Sequence, residues 1–290
     1  MLKKRLVVAL IIRNGLIVQS IGFEKYLPIG KPEFPIEFVA RWDVDEIVVV
    51  DISATAEGRT IETNLLKLIS QKCFVPLTVG GGIKSVEDVR RLTSVGADKI
   101  VINSHALQQP SIISDIARVF GNQCVVVSID CRLEKDGSYQ VYRNSGSIPT
   151  GLAPHTWALK AEELGAGEIF LNSIDRDGSK LGYDTQLIRA VTEAVSIPVI
   201  ACGGVGKFSD LSVGVTKGHA SAVAASNIFH YSEHSTILAK AHLLNDEIDI
   251  RIDSESSYLG RDFDDNGRLV MLSNQQLNRI VLKRGQKSIA

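Results

Sequence analysis

Short apolar runs rich in valine and isoleucine recur along the chain and alternate with amphipathic stretches of ten to fifteen residues. Runs that are apolar throughout are typical of strands buried on both faces, and helical patterns between them indicate a parallel sheet wrapped by helices. The pattern predicts eight strands, at residues 6–12, 47–51, 76–79, 100–102, 124–130, 169–172, 199–202 and 222–224. Eight such strands predict closure into a (β/α)8 TIM barrel of the α/β class.

One segment departs from the alternation of strand and helix patterns. Residues 132–147 follow the fifth predicted strand and contain Asp136-Gly137 between two polar, β-prone runs. Asp-Gly between such runs favours a tight hairpin turn. We expect this small hairpin to cover the ligand face of the barrel.

An internal repeat divides the predicted barrel into two halves. Residues 76–82 (PLTVGGG) align with residues 198–204 (PVIACGG) at an offset of 122. Three further identical pairs fall at the same offset, namely Glu46 with Glu168, Gly96 with Gly218, and Ser104 with Ser226. Residues 7–11 align with residues 126–130 at an offset of 119, which pairs Ile11 with Asp130. The barrel is therefore predicted to consist of two duplicated half-barrels.

The repeat pattern ends near Glu247. We expect residues 1–247 to form the barrel and residues 248–290 to form a C-terminal extension with an amphipathic helix at 274–281. At the other end, the apolar run at residues 6–12 stops at Arg13 and no small-residue cleavage site follows. A first core strand fits this segment better than a signal peptide.

Composition and charge narrow the class of protein. Hydrophobic residues make up 44% and charged residues 22%, which is typical of a globular domain. The formal net charge of -1 gives no long-range attraction to nucleic acid, so phosphate binding must be local. Four scattered cysteines predict reduced thiols, and we expect a cytoplasmic protein without a nucleic-acid or membrane partner.

Glycine turns after the third and seventh predicted strands indicate phosphate binding. In such barrels the loops at the carboxyl ends of the strands form the active face. Gly80-Gly81-Gly82 precedes Asn103-Ser104, and Gly203-Gly204 precedes Ala225-Ser226, with Gly178 nearby on the same face. Glycines allow several backbone N–H groups to point at one anion. Two such turns on opposite sides of one barrel suit a long ligand with a phosphate at each end.

A few charged residues are placed for chemistry at the strand ends. Asp130 ends the fifth strand and could act as a general acid or base, or could cap nearby backbone N–H groups. Asp51 and Asp177 could orient loops or touch substrate. The six histidines show no spacing with Asp, Glu or Cys typical of a metal site, so we predict neither a metal nor a cofactor.

At the opposite end of the barrel, four residues of alternating charge occupy the amino-terminal edges of the strands: Arg5, Glu46, Lys99 and Glu168. Ordinary surface salt bridging is one explanation. A ring of charge around the barrel floor is the other.

The chain resembles the HisF family, the cyclase subunit of imidazole glycerol phosphate synthase, over about residues 1–244. The resemblance rests on VGGGI at 79–83, VVSID at 126–130, GAGE at 165–168 and SIDRDG at 173–178. In that family the barrel binds a bisphosphorylated aminoimidazole nucleotide and receives ammonia from a docked HisH-type glutaminase. The resemblance implies that the phosphates are held by Gly82, Asn103, Ser104, Gly178, Gly204, Ala225 and Ser226. It further implies that Arg5, Glu46, Lys99 and Glu168 gate ammonia, and that Asp98 lies at the docking surface.

Two departures from the family concern catalysis. HisF enzymes use two aspartates, and this chain keeps Asp130 but has Ile11 at the other position. The family's catalytic lysine in the first loop is matched here by Gln19. An isoleucine cannot transfer a proton, and a neutral amide cannot replace a cationic amine.

Three functions remain open at this point. The first is an ammonia-conducting subunit of a surface-sugar amidotransferase complex that makes an acetamidino group, since residues 10–15 and 20–23 are similar to the HisF-like paralogues in that role. The second is a genuine cyclase of histidine biosynthesis in which Asp51 or Asp177 has taken over. The third is a sugar-phosphate isomerase that shares only the half-barrel ancestry and needs no glutaminase. Whether the chain is itself an enzyme depends on the chemistry that survives without an acid at Ile11.

Overall fold

A computed structural model describes residues 3–230 and 235–251 of the chain. Its strands are β1 (Arg5–Arg13), β2 (Leu16–Ile21), β3 (Lys25–Gly30), β4 (Glu46–Asp51), β5 (Leu77–Gly80), β6 (Lys99–Ile102), β7 (Val125–Leu133), β8 (Tyr139–Arg143), β9 (Ile148–Pro149), β10 (Glu168–Ser173), β11 (Val199–Cys202) and β12 (Ala222–Ala225). Its helices are α1 (Glu33–Arg41), α2 (Thr63–Ser70), α3 (Val86–Thr93), α4 (Ser104–Gln108), α5 (Ser111–Phe120), α6 (Pro154–Glu163), α7 (Thr185–Thr192), α8 (Phe208–Thr216) and α9 (Ser235–Asn245).

Eight of these strands close into a parallel barrel. They follow one another in the order β1, β4, β5, β6, β7, β10, β11 and β12, and β12 pairs with β1 to complete the circle. Helices connect successive barrel strands, so the predicted (β/α)8 barrel is confirmed. Each predicted strand overlaps an observed one, and the largest difference is at β7, which continues to Leu133.

Antiparallel hairpins extend two of the barrel strands beyond the sheet. The predicted excursion after β7 is formed by β8 and β9, with the turn at Asp136-Gly137. A second hairpin, β2–β3, follows β1 through a turn at Asn14-Gly15, where both residues have positive φ, 51° and 76°. The sequence reading did not predict this second hairpin, although Asn-Gly is a strong hairpin signal. It lies over the carboxyl end of the barrel.

The barrel has two apolar layers. The larger layer lies between the sheet and the helices and includes Leu6, Val8, Leu10 and Leu92. The smaller layer lies inside the barrel and consists of Val7, Ala9, Val48, Val101, Val126, Phe170, Ile200, Ala222 and Ala224. Since successive residues of a strand point to opposite faces, the alternation of Leu6, Val7, Val8 and Ala9 fills both layers from one strand.

The chain returns to the barrel floor after α9. Ile248 and Ile250 are buried, and the backbone N–H of Lys4 donates to the carbonyl of Asp249 at 3.0 Å. Residues 252–290, including the helix predicted at 274–281, lie outside the described residues. No helix within the described ranges combines the length and apolar character that crossing a bilayer requires.

Candidate functional site

A cavity of about 290 Å³ opens at the carboxyl ends of the barrel strands. Five of the residues predicted to bind ligand line it: Gly82, Asn103, Ser104, Asp130 and Ser226. The other three predicted there, Gly178, Gly204 and Ala225, are not part of its lining. The structure therefore gathers the residues of the first glycine turn with Ser226 around one space.

The first glycine turn needs glycine at two positions. Gly81 and Gly82 have φ values of 118° and 66°, which L-residues with side chains rarely adopt. A Cβ on Gly82 would also overlap the carbonyl oxygen of Arg59. Glycine at position 82 therefore lets this turn pack against the backbone of Arg59, and Gly82 lines the cavity together with Ser104 at the start of α4. The Ser104 Oγ accepts a hydrogen bond from the backbone N–H of Asn144 at 2.9 Å, which ties the β8 hairpin to this turn.

The second glycine turn repeats this geometry. Gly203 and Gly204 have φ values of 95° and 113°, and a Cβ on Gly204 would overlap the carbonyl oxygen of Gly182. The Ser226 Oγ is buried and has no hydrogen-bond partner among the described residues. A buried hydroxyl without a partner is unusual in folded proteins and is expected where a ligand or water supplies the missing bond.

Gly178 lies beneath the β2–β3 hairpin. A Cβ on Gly178 would meet the backbone of Ser20 and Ile21, so only glycine allows the two segments to pack this closely. The Asp177 carboxylate accepts hydrogen bonds from the Ser20 Oγ at 2.5 Å and from the backbone N–H of Phe23 at 3.2 Å. Asp177 therefore holds the hairpin over the cavity.

Asp130 is one of three aspartates that line the cavity, with Asp51 and Asp177. It is 8% exposed, and its carboxylate accepts hydrogen bonds from the Asn103 Nδ2 at 2.7 Å and the Ser128 Oγ at 3.2 Å. Burial raises the pKa of Asp130 to about 7, with a smaller contribution from the nearby Asp177 carboxylate, although the Ser128 hydrogen bond opposes the shift. An acid with this pKa can both release and accept a proton near neutral pH.

The raised pKa of Asp130 makes a pH-dependent prediction. Between pH 4 and pH 7 the folded protein keeps a proton that the unfolded chain loses, so stability falls as pH rises through this window and levels off above it. An Asp130→Asn variant has no such proton, so its unfolding free energy relative to the wild-type protein should rise by about 2 kcal/mol from pH 5 to pH 8.

Urea unfolding at several pH values measures this difference. Asp115→Asn, which removes a carboxylate from the exposed surface of α5, is the control and should stay within about 0.5 kcal/mol of the wild-type protein throughout. If the difference in unfolding free energy between Asp130→Asn and the wild-type protein is the same at pH 5 and pH 8, Asp130 is ionised across this range.

The cavity offers no free acid among the described residues to compensate for the two departures from the family pattern, Ile11 and Gln19. Ile11 lines the cavity beside Val50, its register partner on β4. Gln19 lies on β2 opposite Leu27 of β3. Asp51 also lines the cavity, but its carboxylate is bound by the Arg59 Nη1 at 2.7 Å. Asp51 and Asp177 are thus both occupied in holding loops.

Four charged side chains close the opposite end of the barrel. The Arg5 guanidinium contacts Glu46 at 2.8 Å and Glu168 at 3.0 Å. The Lys99 Nζ contacts the same two carboxylates at 3.0 Å and 3.2 Å. The four predicted residues therefore form a closed ring of alternating charge. Thr78 donates a further hydrogen bond to Glu46 at 2.6 Å from inside the barrel.

Asp98 lies just outside this ring. It is exposed, and its carboxylate accepts a hydrogen bond from the backbone N–H of Leu77 at 2.8 Å. Phe74, which sequence reasoning did not single out, lies on the same face and is 74% exposed. A second cavity of about 300 Å³ opens beside Phe74.

No group of three or more His, Cys, Asp or Glu side chains in the described part of the chain is arranged to hold a metal ion. Phe23, Tyr26 and Asn172 are among the cavity residues that sequence reasoning missed. Phe23 and Tyr26 belong to the overlooked β2–β3 hairpin, which the Asn14-Gly15 turn could have indicated. Asn172 has no sequence signal besides its place at the end of a predicted strand.

Known proteins resemble this chain over most of its length. Residues 5–235 match the family model described as histidine biosynthesis protein. The chain is also 45% identical, over 268 residues, to a Vibrio vulnificus (strain YJ016) protein named as a candidate imidazole glycerol phosphate synthase subunit, hisF2. This alignment covers 92% of the chain and 98% of the relative. The range matched by the family model includes the floor ring and both glycine turns.

Proposed function

The chain belongs to the HisF family, and from this premise we propose that it is a bisphosphate-binding barrel that pairs with a HisH-type glutaminase. In this proposal the barrel conducts ammonia from the glutaminase to an amidation reaction, which forms the acetamidino group of a surface sugar. The four cysteines are free thiols, which fits a reducing compartment, and we place the complex in the cytoplasm.

The observation that carries the proposal is the ring at the floor together with the apolar interior above it. Arg5, Glu46, Lys99 and Glu168 neutralise one another, so a small rearrangement of one side chain opens the ring without leaving a net charge. The interior above the ring is lined by apolar side chains, which are mostly valine and alanine together with Phe170 and Ile200. Such a passage disfavours ions, which are costly to strip of water, and admits neutral ammonia.

The two glycine turns support the phosphate part of the proposal. With a net charge of -1, the chain attracts anions through local geometry only. Both turns require glycine, because a Cβ on Gly82 or Gly204 would overlap a neighbouring carbonyl oxygen, and Ser104 and Ser226 follow at matched distances. The unpartnered Ser226 Oγ adds a hydrogen-bonding group that a phosphate oxygen would satisfy.

The missing carboxylate favours delivery of ammonia over cyclisation. A two-carboxylate mechanism that loses one acid typically loses roughly 10²- to 10⁴-fold in rate. Ile11 removes that acid, while the ring and the apolar interior are present. A subunit with this ring and interior, but with half of the cyclase acid–base chemistry, suits an ammonia-conducting role.

Docking of the glutaminase on the floor can be tested at Phe74. A large apolar side chain that is 74% exposed is a candidate anchor for a partner. Phe74→Glu should weaken binding to the HisH-type glutaminase of the same genome about tenfold or more, measured by calorimetry with the purified proteins.

Leu181 offers a matched control for this experiment. It is 73% exposed, and it follows β10 on the opposite, cavity-bearing end of the barrel. Leu181→Glu should leave the affinity unchanged within about twofold. Equal effects of the two substitutions, or no binding by the wild-type protein, would contradict docking on the floor.

A genuine cyclase of histidine biosynthesis is the second candidate. It is favoured by Asp130, whose raised pKa suits general acid–base catalysis, and by the name of the Vibrio relative. It requires another acid to replace the one lost at Ile11, and both candidates for that role already hold loops. Rescue of a histidine auxotroph by the wild-type gene would favour the cyclase over the ammonia-conducting role.

A further inference from the structure

A lysine of α9 is buried against the residues that precede β4. Lys240 is 1% exposed, and its Nζ contacts the carboxylates of Asp45 at 2.9 Å and Asp43 at 3.5 Å. Lysines are almost never fully buried unless an acidic group pairs with them, because removing an ammonium group from water is costly. The proposed function makes no use of this cluster, so its position calls for an explanation.

Asp45 connects Lys240 to the floor ring. One oxygen of its carboxylate accepts a hydrogen bond from the Lys240 Nζ, and the other accepts from the backbone N–H of Leu6 at 2.7 Å. The backbone N–H of Asp45 also donates to the carbonyl of Leu6 at 3.0 Å. Leu6 directly follows Arg5 in the chain. Asp45 directly precedes Glu46, the ring carboxylate that Arg5 contacts at 2.8 Å, so a shift of Asp45 displaces this ion pair.

The second half-barrel has a glycine at the position that matches Asp45. At the repeat offset of 122 this residue is Gly167, whose backbone N–H donates to the carbonyl of Val125 at 2.9 Å. Val125 matches Leu6 at the offset of 119, so the backbone contact is repeated. A Cβ on Gly167 would overlap the carbonyl oxygen of Asn122, so no carboxylate can replace this glycine. The ring is built from both halves, but the buried ion pair supports the first half alone.

Asp98 repeats the backbone contacts of Asp45 in an exposed setting. It directly precedes Lys99 of the ring. Its carboxylate accepts from the backbone N–H of Leu77 at 2.8 Å, and its own N–H donates to the carbonyl of Leu77 at 2.9 Å. Asp98 itself is exposed. The bonds to a strand start therefore form at an exposed carboxylate, and they do not account for the burial of Lys240 beside Asp45.

We propose that Lys240 is a positioning residue for the floor ring and that, through Asp45, it keeps the Arg5–Glu46 side of the ring closed. The helix α9 thereby becomes part of the gate, although Lys240 acts on the ring through another residue. This inference rests on the proposed ammonia-conducting role, in which a ring that stays open would admit water and ions along with ammonia.

A thiol placed above the ring measures how often the ring opens. Val48 lies inside the barrel two residues after Glu46, and it is fully buried. In a Val48→Cys protein, a small charged methanethiosulfonate reagent reaches this thiol only when the structure opens. Adding Lys240→Met should increase the labelling rate about tenfold, because methionine keeps the length of the side chain but leaves Asp45 without its cation.

Two native cysteines distinguish ring opening from other motions. Cys202 lines the cavity and reports entry of the reagent from the mouth, and Cys131 belongs to the larger apolar layer and reports global unfolding. Mass spectrometry gives the rate at each thiol, and both rates should stay within about twofold in Lys240→Met. Equal acceleration at all three thiols would mean that Lys240 stabilises the fold in general, and the proposal would be wrong. An unchanged rate at position 48 would overturn it as well.

Asp45→Asn is the second variant, and it keeps the test decisive if Lys240→Met does not fold. Its amide oxygen can still accept from Leu6, so the variant loses only the charge that pairs with Lys240, and we expect the same selective acceleration at position 48. Lys217→Met, at the exposed end of α8, is the matched control and should change none of the rates. Labelling needs neither ammonia nor a glutaminase. Failure of the glutaminase to bind would therefore refute the proposed function, while the labelling rates alone decide the role of Lys240.

Discussion

Replacing Glu46 by glutamine is expected to lower the free energy of unfolding by about 3 kcal/mol. Glu46 is 1% exposed and accepts hydrogen bonds from Arg5, Lys99 and Thr78. Glutamine has nearly the same shape but no charge, so the two cations would share Glu168 alone. Removing one partner from a buried ion pair leaves an uncompensated charge, and this cost exceeds the value of the pair itself. Urea unfolding of both proteins measures the loss.

Glu163 provides the matched control. It forms an ion pair with Lys160 at 3.1 Å on α6, and both side chains are more than half exposed. Glu163→Gln should change the unfolding free energy by less than about 1 kcal/mol, because water replaces the lost contact. If Glu46→Gln costs no more than this control, the ring is a solvated surface feature and not a closed gate.

The floor of the barrel could be predicted from the sequence more fully than its mouth, the end at which the cavity opens. Each ring residue directly precedes the apolar run of a predicted strand, so the strand assignment alone placed Arg5, Glu46, Lys99 and Glu168 at one end. The repeat then related Glu46 to Glu168. Strand direction and register fix these positions, and both can be read from local patterns.

The mouth depends on loops whose conformations are not periodic. The glycine turns were found because two copies are present, but contact between Gly178 and the β2–β3 hairpin follows from tertiary packing. The hairpin itself was missed because its residues were read as the first loop. Its bonds to Asp177 join residues more than 150 positions apart, and no local pattern reports them.

Asn172 illustrates a different limit. Its buried Oδ1 has no hydrogen-bond partner among the described residues, and a missing hydrogen bond can be recognised only when all neighbouring donors have been placed. In the sequence it is one polar residue at a strand end, a common position for asparagine. The same holds for Asp51, whose pairing with Arg59 turns a candidate acid into a loop anchor.

The two departures at the mouth can be reversed. Aspartate is smaller than isoleucine, so Ile11→Asp fits the cavity without a clash, although aspartate is unfavourable in a strand by up to about 1 kcal/mol. Gln19→Lys restores a cation on the hairpin above. The substrates for the test are ammonium and the bisphosphorylated aminoimidazole nucleotide. The double variant should form aminoimidazole carboxamide ribotide at least about 10²-fold faster than the wild-type protein, because a recovered acid–base group typically raises the rate by roughly 10²- to 10⁴-fold.

Absorbance of the product follows this rate, and each single variant is measured alongside. Adding Asp130→Asn to the double variant should abolish the gain, because the mechanism then lacks its other carboxylate. A wild-type rate equal to that of the double variant would show that a different acid already replaces Ile11, which is the cyclase hypothesis. A double variant that is no faster than the wild-type protein would show that the cavity differs from that of a cyclase in more than these two side chains. The ammonia-conducting role would then depend on the shape of the whole cavity and not on one lost carboxylate.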